Sequence, residues 1–474
     1  MKKLLATLLA STMTLSAIGG LVACGGDSGS SDDANTITVW APTNSLGSEA
    51  TGKGYRSMIA GWKEAYPEYA KYNVKFVAKG EGDVNGAIGN NAKAAAEIFF
   101  FASDHYKDLA QNKALQPLTQ EYVTKVHGRD VQGTYEFVTD SENNLYAFPA
   151  TNDNGFFLWY NDTIYDEDDV VSLDKMLAKS KEKGVHINFP YDNSWYSASF
   201  MFGMGCKFNY DENGHYKGDT ATPEAKAAVK AMFKYANDPN NKGVISEEDE
   251  DGETVWTDVI VSAASFNAGM ADGTIGAAVS YVSSYADIEA AITAVNTDEA
   301  TGAVNQTKID EQLSHIKATV LPKFKATIEG GTEQEYNMGT FYGGKYCGVN
   351  RSKPEAKIKA ALSLADWFTN ENGQKVRFAA DYSGPSNKVV AELDEVKNNM
   401  GLKAYNAQVG LGPDVNCVQG KQSDEFWGDS GIKAFVTGIF LHEKDTATPP
   451  AYDYTTEAGV LAQLAKLAAA IKAE

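Results

Sequence analysis

The chain has 474 residues, 43% of them hydrophobic and 11% aromatic, with 42 basic against 63 acidic residues and a formal net charge of −21. That length exceeds what one hydrophobic core supports and predicts two lobes. So acidic a body excludes nucleic acid as a partner, because phosphate binding needs a basic surface, and four cysteines are too few for a disulfide-stapled scaffold.

In chain order, the first element is an export signal. Lys2 and Lys3 precede an apolar run from Leu4 to Leu21 that is too short and too interrupted by Ser, Thr and Gly for a membrane span. The ending Leu21-Val22-Ala23-Cys24 resembles the lipobox of bacterial lipoproteins, which implies removal of residues 1–23 and acylation of Cys24. Each buried acyl methylene contributes about 0.8 kcal/mol, so several chains make a lasting membrane anchor. The expected location is therefore extracytoplasmic and lipid-anchored to the cell membrane, with residues 24–35, rich in Gly, Ser and Asp, as a flexible linker. With Cys24 used, Cys206, Cys347 and Cys417 remain; the odd count leaves at least one thiol free or intermolecular. Neither Cys-x-x-Cys nor His-Glu-x-x-His spacing occurs, and neither metal nor cofactor is expected.

The mature chain opens as β-α-β. Ile37-Thr38-Val39-Trp40 reads as a strand, and Tyr55, Met58, Ile59, Trp62 and Tyr66 recur at helical spacing up to Pro67. Val74, Phe76 and Ala78 alternate as a second strand. Glu97 to Phe101 reads as a third strand, its unbroken apolar run from Ile98 suited to a sheet covered on both faces, and Asp104 starts the next helix. Such alternation predicts α/β lobes whose ligands lie beyond the strands' carboxyl ends. Later, Thr222 reads as an N-cap before Pro223, a helix runs from Ser352 and Pro354 to Gly373, and the last helix begins near Thr455 or Thr456.

Four short motifs suggest chemistry and fail on inspection. Gly47 to Gly54 nearly spells a P-loop, but Gly54 stands where magnesium needs Ser or Thr; a strand-to-helix turn presenting Lys53 is the better reading. Gly428-Asp429-Ser430-Gly431 looks like a serine-protease nucleophile loop without the matching histidine context. The acidic run Glu247 to Glu253 lacks EF-hand spacing and reads as a solvated loop, and Asp211 to Gly214 as a hairpin turn.

The 7 Trp, 24 Tyr and 21 Phe exceed what core periodicity uses. Trp159-Tyr160-Asn161, Tyr191 to Tyr196, Tyr281 with Tyr285, and Phe426-Trp427-Gly428 set rings among Asp and Asn. A carbohydrate cleft needs that mixture, since sugars stack apolar faces on rings and offer hydroxyls to polar side chains. Ile98 to Leu115 resembles the maltose/maltodextrin-binding protein family, and the likeness continues in order through Gly52 to Tyr55, Asn144 to Asn161, Pro190 to Trp195, Ser265 to Met270, Val320 to Pro322 and Phe426-Trp427. It covers nearly the whole mature chain, interrupted by inserts such as 245–257 and 292–312.

The resemblance implies a type II periplasmic-binding-protein fold: lobe one from 36–150 and 344–387, lobe two from 151–343 and 388–474, with crossings near Pro149-Ala150, Gly344 and Pro385. It implies capture of maltose or maltooligosaccharides and delivery to the permease subunits of an ABC transporter, by a monomer that is not an enzyme. Sugar contacts carried over fall on Lys53, Asp104, Trp195 or its neighbour Tyr191, and Trp427, with Tyr281 through Tyr285 in uncertain register. Phe101, His105 and Asn154 stand where the family has Trp, Arg and Glu. The lost Arg and Glu remove charge-assisted hydrogen bonds, so a receptor for a xylo- or galacto-oligosaccharide stays open, as does, further off, a carbohydrate-active hydrolase with paired carboxylates.

Overall fold

The computed structural model describes residues 35–471 apart from 90, 211–215, 218, 249–251, 421, 423 and 448–449. The signal, Cys24 and nearly all of the linker therefore lie outside the described residues, as does the turn at Asp211 to Gly214, whose flanking strands Asn209–Tyr210 and Tyr216–Lys217 pair antiparallel. No described helix is long and apolar enough to cross a membrane.

Two five-stranded sheets carry the molecule. The first runs, edge to edge, Asn73–Ala78, Thr36–Ala41, Ile98–Ala102, Lys345–Val349 and Ala147–Thr151. Its first three strands are parallel, and Lys345–Val349 is antiparallel to both neighbours. The second runs Ile260–Val261, His186–Asn188, Ile275–Ser280, Phe157–Asn161 and Ile316–Thr319. Again the first three are parallel and the fourth, Phe157–Asn161, is antiparallel to both neighbours. In each sheet the antiparallel strand is the one that has just crossed from the other lobe. This is the two-lobe type II topology.

The expected elements form for the expected reasons, with three corrections. All five residues of Ile98–Ala102 are buried, and Phe100 stacks on Tyr55 at 4.7 Å from the helical turn Tyr55–Met58 above it. Thr222 Oγ1 accepts from Ala225 N–H at 3.1 Å ahead of helix Pro223–Ala236. Thr456 Oγ1 does the same for Gly459 before Glu457–Ile471. The helix begun at Pro354, however, ends at Thr369, not Gly373: Asn370 caps a second helix, Glu371–Asp381, its Oδ1 accepting from Gly373 N–H at 2.9 Å. The acidic stretch is not simply a loop, since Ile245–Glu248 and Thr254–Thr257 pair as a hairpin, held down by Glu247 Oε1 at 2.9 Å from His186 Nε2. The turn at Gly47 to Gly54 spends its amides on itself and on helix Glu371–Asp381, with Ser48 N–H donating to Lys53 O and Gly54 N–H to Val376 O.

The three crossings between lobes are laced together. Asn152 N–H donates to Gly384 O at 2.8 Å, Gly384 N–H to Asp153 Oδ2 at 2.6 Å, and Asn154 N–H to Gly343 O at 3.1 Å. Gly155 lies so close to the return crossing that a Cβ there would stand 2.2 Å from Phe341 O, and its φ is outside the left-handed region. The cost of a side chain is therefore steric alone. Gly155→Ala is expected to lower stability by about 2–3 kcal/mol, read as a lower urea midpoint with an unchanged slope; a wild-type melt would remove the close packing from the hinge.

Candidate functional site

Parallel strands leave their connecting loops at one edge, and here both edges face each other across a cleft of about 880 Å³. From lobe one come Pro42 and Asn44, Gly80 to Asp83, and Asp104 with His105, each just beyond a strand's carboxyl end. Lobe two supplies Asp192 to Tyr196 and Tyr281 from equivalent ends, and Gln419, Gln422 and Trp427 from the C-terminal return.

Of the residues expected in the site, Asp104, His105, Asn154, Trp195, Tyr281 and Trp427 line this cleft. Asp104 Oδ1 is buried without a hydrogen-bond partner, and its Oδ2 lies 3.8 Å from His105 Nε2. Trp195 is half-buried, set edge-on to Phe156 at 5.1 Å and to Tyr281 at 6.1 Å, and its Nε1–H is also unpartnered. Trp427 stacks on Phe341 at 5.5 Å with one part of its ring system against the core. Asn154 donates from Nδ2 to Gln419 Oε1, tying the first crossing to the C-terminal return.

Four expected residues lie elsewhere. Lys53 is exposed on its turn, outside the cleft lining. Phe101 is fully buried, packed on Tyr346 at 5.7 Å and Phe99 at 6.0 Å, because both faces of this strand are core and the cleft begins only at its last residue, Ala102. Tyr191 stacks flat on Phe440 at 4.8 Å while its neighbour Asp192 faces the cleft. Tyr285 lies between Trp159 at 5.5 Å and Tyr382 at 5.3 Å.

The cleft floor holds a charge cluster that sequence reasoning missed. Glu81 Oε2 lies 3.2 Å from Lys345 Nζ, and Glu81 Oε1 accepts from Arg377 Nη2 at 2.7 Å. Arg377 Nε is 3.4 Å from Asp381 Oδ2, which also accepts from Ser45 Oγ at 2.6 Å. Lys345 Nζ stands 5.5 Å over the Tyr281 ring, a cation–π contact from one lobe to the other. Burial would push the Glu81 carboxyl up, but Lys345 and Arg377 outweigh it and hold it below its ordinary value. Beneath the floor, burial raises Asp153 despite Lys345, and its Oδ1 has no partner. Gly80-Glu81-Gly82 after a strand and Gly343-Gly344-Lys345 at a crossing were the only sequence traces of this cluster.

Rings, unpartnered acceptors and donors, and amides suit a polyhydroxylated ligand. Among the described residues no group of side chains could hold a metal ion. The carboxyls that burial pushes up, Asp130, Asp153 and Asp287, do not line the cleft, while Glu81, which does, is held down.

The model of the bacterial extracellular solute-binding protein family matches residues 61–404. Among solved structures, one described as "with acarbose" is 22% identical with a TM-score of 0.70, covering 92% of this chain and 98% of that one. The maltodextrin-binding protein of L. casei BL23, solved without ligand, is 16% identical (TM-score 0.66; 93% and 99% covered). The maltose-maltodextrin-binding protein of Alicyclobacillus acidocaldarius is also 16% identical (TM-score 0.64; 92% and 100%). No protein of curated function matches the sequence.

Glu81 is the anion that lets two cations lie under the cleft. Glu81→Gln is expected to cost about 3–5 kcal/mol at neutral pH by leaving Lys345 and Arg377 undercompensated. Because its folded-state value is depressed, its contribution is full above the unfolded carboxyl range and is lost as pH falls through the folded value. Asp153, raised on folding, acts with the opposite slope. Urea melts from neutral to acid pH check this: wild type and variant should converge on acidification, and a constant gap would refute the assignment.

Proposed function

The chain belongs to the bacterial extracellular solute-binding proteins, and we propose that its cleft captures maltose and maltooligosaccharides for delivery to an ABC importer. The observation that carries this reading is the convergence of Trp195, Tyr281 and Trp427 with Asp104, Asn154 and Gln419 between the two lobes. Rings take the apolar sugar faces, and the unpartnered Asp104 Oδ1 and Trp195 Nε1–H take hydroxyls. His105 and Asn154 line the cleft where the family has Arg and Glu. The maltodextrin-binding neighbours share this fold and support the choice of ligand class.

Binding without chemistry is part of the proposal. A glycosidase needs two carboxyls free to flank one bond, and in the cleft floor Glu81 and Asp381 are engaged by Lys345 and Arg377. We assign lobe one to 36–150 and 344–387 and lobe two to 151–343 and 388–474, closing on the sugar about the laced crossings as a monomer. Cys24 is assigned as the acylated anchor that holds the protein at the membrane, beside the permease subunits it supplies.

Calorimetric titration with maltooligosaccharides of increasing length, beside xylo- and galacto-oligosaccharides, tests the ligand. Saturable binding confined to the α-glucan series is expected, with the sugar recovered intact. Preference for another series would replace the ligand, and hydrolysis products would replace the function.

Trp427→Ala should weaken maltooligosaccharide binding at least ~30-fold, about 2 kcal/mol. Because the ring is only half-buried, the urea melt should lose less than the roughly 3–5 kcal/mol of a core Trp. Unchanged affinity with a collapsed melt would make it a core residue. Separately, Cys24→Ser should release the protein from the membrane fraction without changing sugar affinity; full retention on membranes would end the anchor assignment.

A further inference from the structure

The three cysteines of the folded body do not share one environment. Cys347 sits in Lys345–Val349, fully buried between Phe100 and Phe148 of the neighbouring strands in sheet one. Cys206 and Cys417 belong to the other lobe, 1% and 0% exposed in one hydrophobic cluster. Cys417 Sγ–H donates to the carbonyl oxygen of Lys207 at 3.0 Å, one peptide beyond Cys206. The segments bearing the two thiols are fastened on both sides of that contact. Lys207 Nζ donates to Asp414 O at 3.0 Å, and the Phe208 and Phe426 rings meet at 5.0 Å.

We propose that Cys206 and Cys417 are a disulfide site, closed as the exported chain folds, with Cys347 remaining a thiol. An extracellular solute-binding protein folds where low-molecular-weight disulfides are available. One protein thiolate attacks a sulfur of the donor disulfide, breaking its S–S bond and releasing one donor thiol. The second protein thiolate then displaces the other donor thiol from the mixed disulfide, so the protein pair is oxidised, the donor is reduced, and the protons end on the two released thiols. The timing follows from burial: in the folded state desolvation pushes the Cys417 thiol up to about 12, with Cys206 adding to the shift, so exchange belongs to the open chain. A link to Cys347 is incompatible with the fold that follows, which seats that residue in sheet one, in a separate hydrophobic core from the pair. The cross-link pins strand Cys417–Val418 to the turn at Cys206, immediately before Gln419, Gln422 and Trp427 enter the cleft.

The test refolds reduced full-length Cys24→Ser protein, which keeps only the three body cysteines, from denaturant in a mixture of oxidised and reduced glutathione, then alkylates it unfolded and maps its peptides by mass. The expected product links the Cys206 and Cys417 peptides and carries the alkyl group on Cys347. It should melt a few degrees higher than the reduced form. Cys206→Ser should yield no link, leave Cys417 alkylated, and melt at one temperature with or without reductant. Protein secreted directly into an oxidising compartment and never reduced gives the same readout if refolding is poor. Natively folded protein with all three thiols alkylated, a mixed disulfide on one of the pair, or Cys347 in the link would each overturn the assignment.

Discussion

Glu81 holds together parts of the molecule that the chain keeps far apart. Its two oxygens bind Lys345, at the second crossing, and Arg377, on the helix before the third. Without Glu81 these two cations would lie under the cleft undercompensated, Arg377 keeping only Asp381, and a buried charge short of its partner is costly. The cluster makes the cleft floor rigid and charged while the walls are aromatic. It also puts Lys345 within reach of the Tyr281 ring on the facing lobe. The floor is thus coupled to the relative position of the walls.

The walls follow from topology. Each lobe repeats one pattern, three parallel strands and an antiparallel fourth borrowed across the hinge, so both sets of carboxyl-terminal loops open toward the same space. Asp104 and Trp195 reach the cleft for the same reason, each one loop past a strand end. The aromatic rings buried behind them, Phe156 and Phe341, hold Trp195 and Trp427 at fixed angles. A ring already held in place loses little freedom when a ligand lands on it.

Motifs made the frame legible, and where each element ends decided the details. Asp104, Trp195 and Trp427 were readable because each sits in a local run with a recognisable order. Phe101 and Tyr285 lie off the cleft for local reasons: Phe101 is one residue short of the end of a strand buried on both faces, and Tyr285, in the first turn of helix Ser284–Val295, packs against Trp159 and Tyr382. Lys53 keeps its glycine-rich turn but stands outside the cleft lining, because the turn closes on its own carbonyls. The charged floor was illegible for a different reason. Glu81, Lys345 and Arg377 are brought together by three separate segments, and no local pattern marks any of them. Gly373 shows the converse, a residue read as a helix stop that is instead required by close approach, with Phe368 O 2.2 Å from where its Cβ would be.

The borrowed strands also govern how the molecule comes into being. Ile98–Ala102 gains its second neighbour only when Lys345–Val349 arrives, after the first and longer segment of the opposite lobe has been made. Until then the Phe99, Phe100 and Phe101 run has an unpaired edge. Contacts of such long sequence separation slow folding, since the loop must close before pairing rewards it. A chain synthesised from its N-terminus therefore cannot complete sheet one until Lys345–Val349 has been made. The cleft and the delay in acquiring it have one origin.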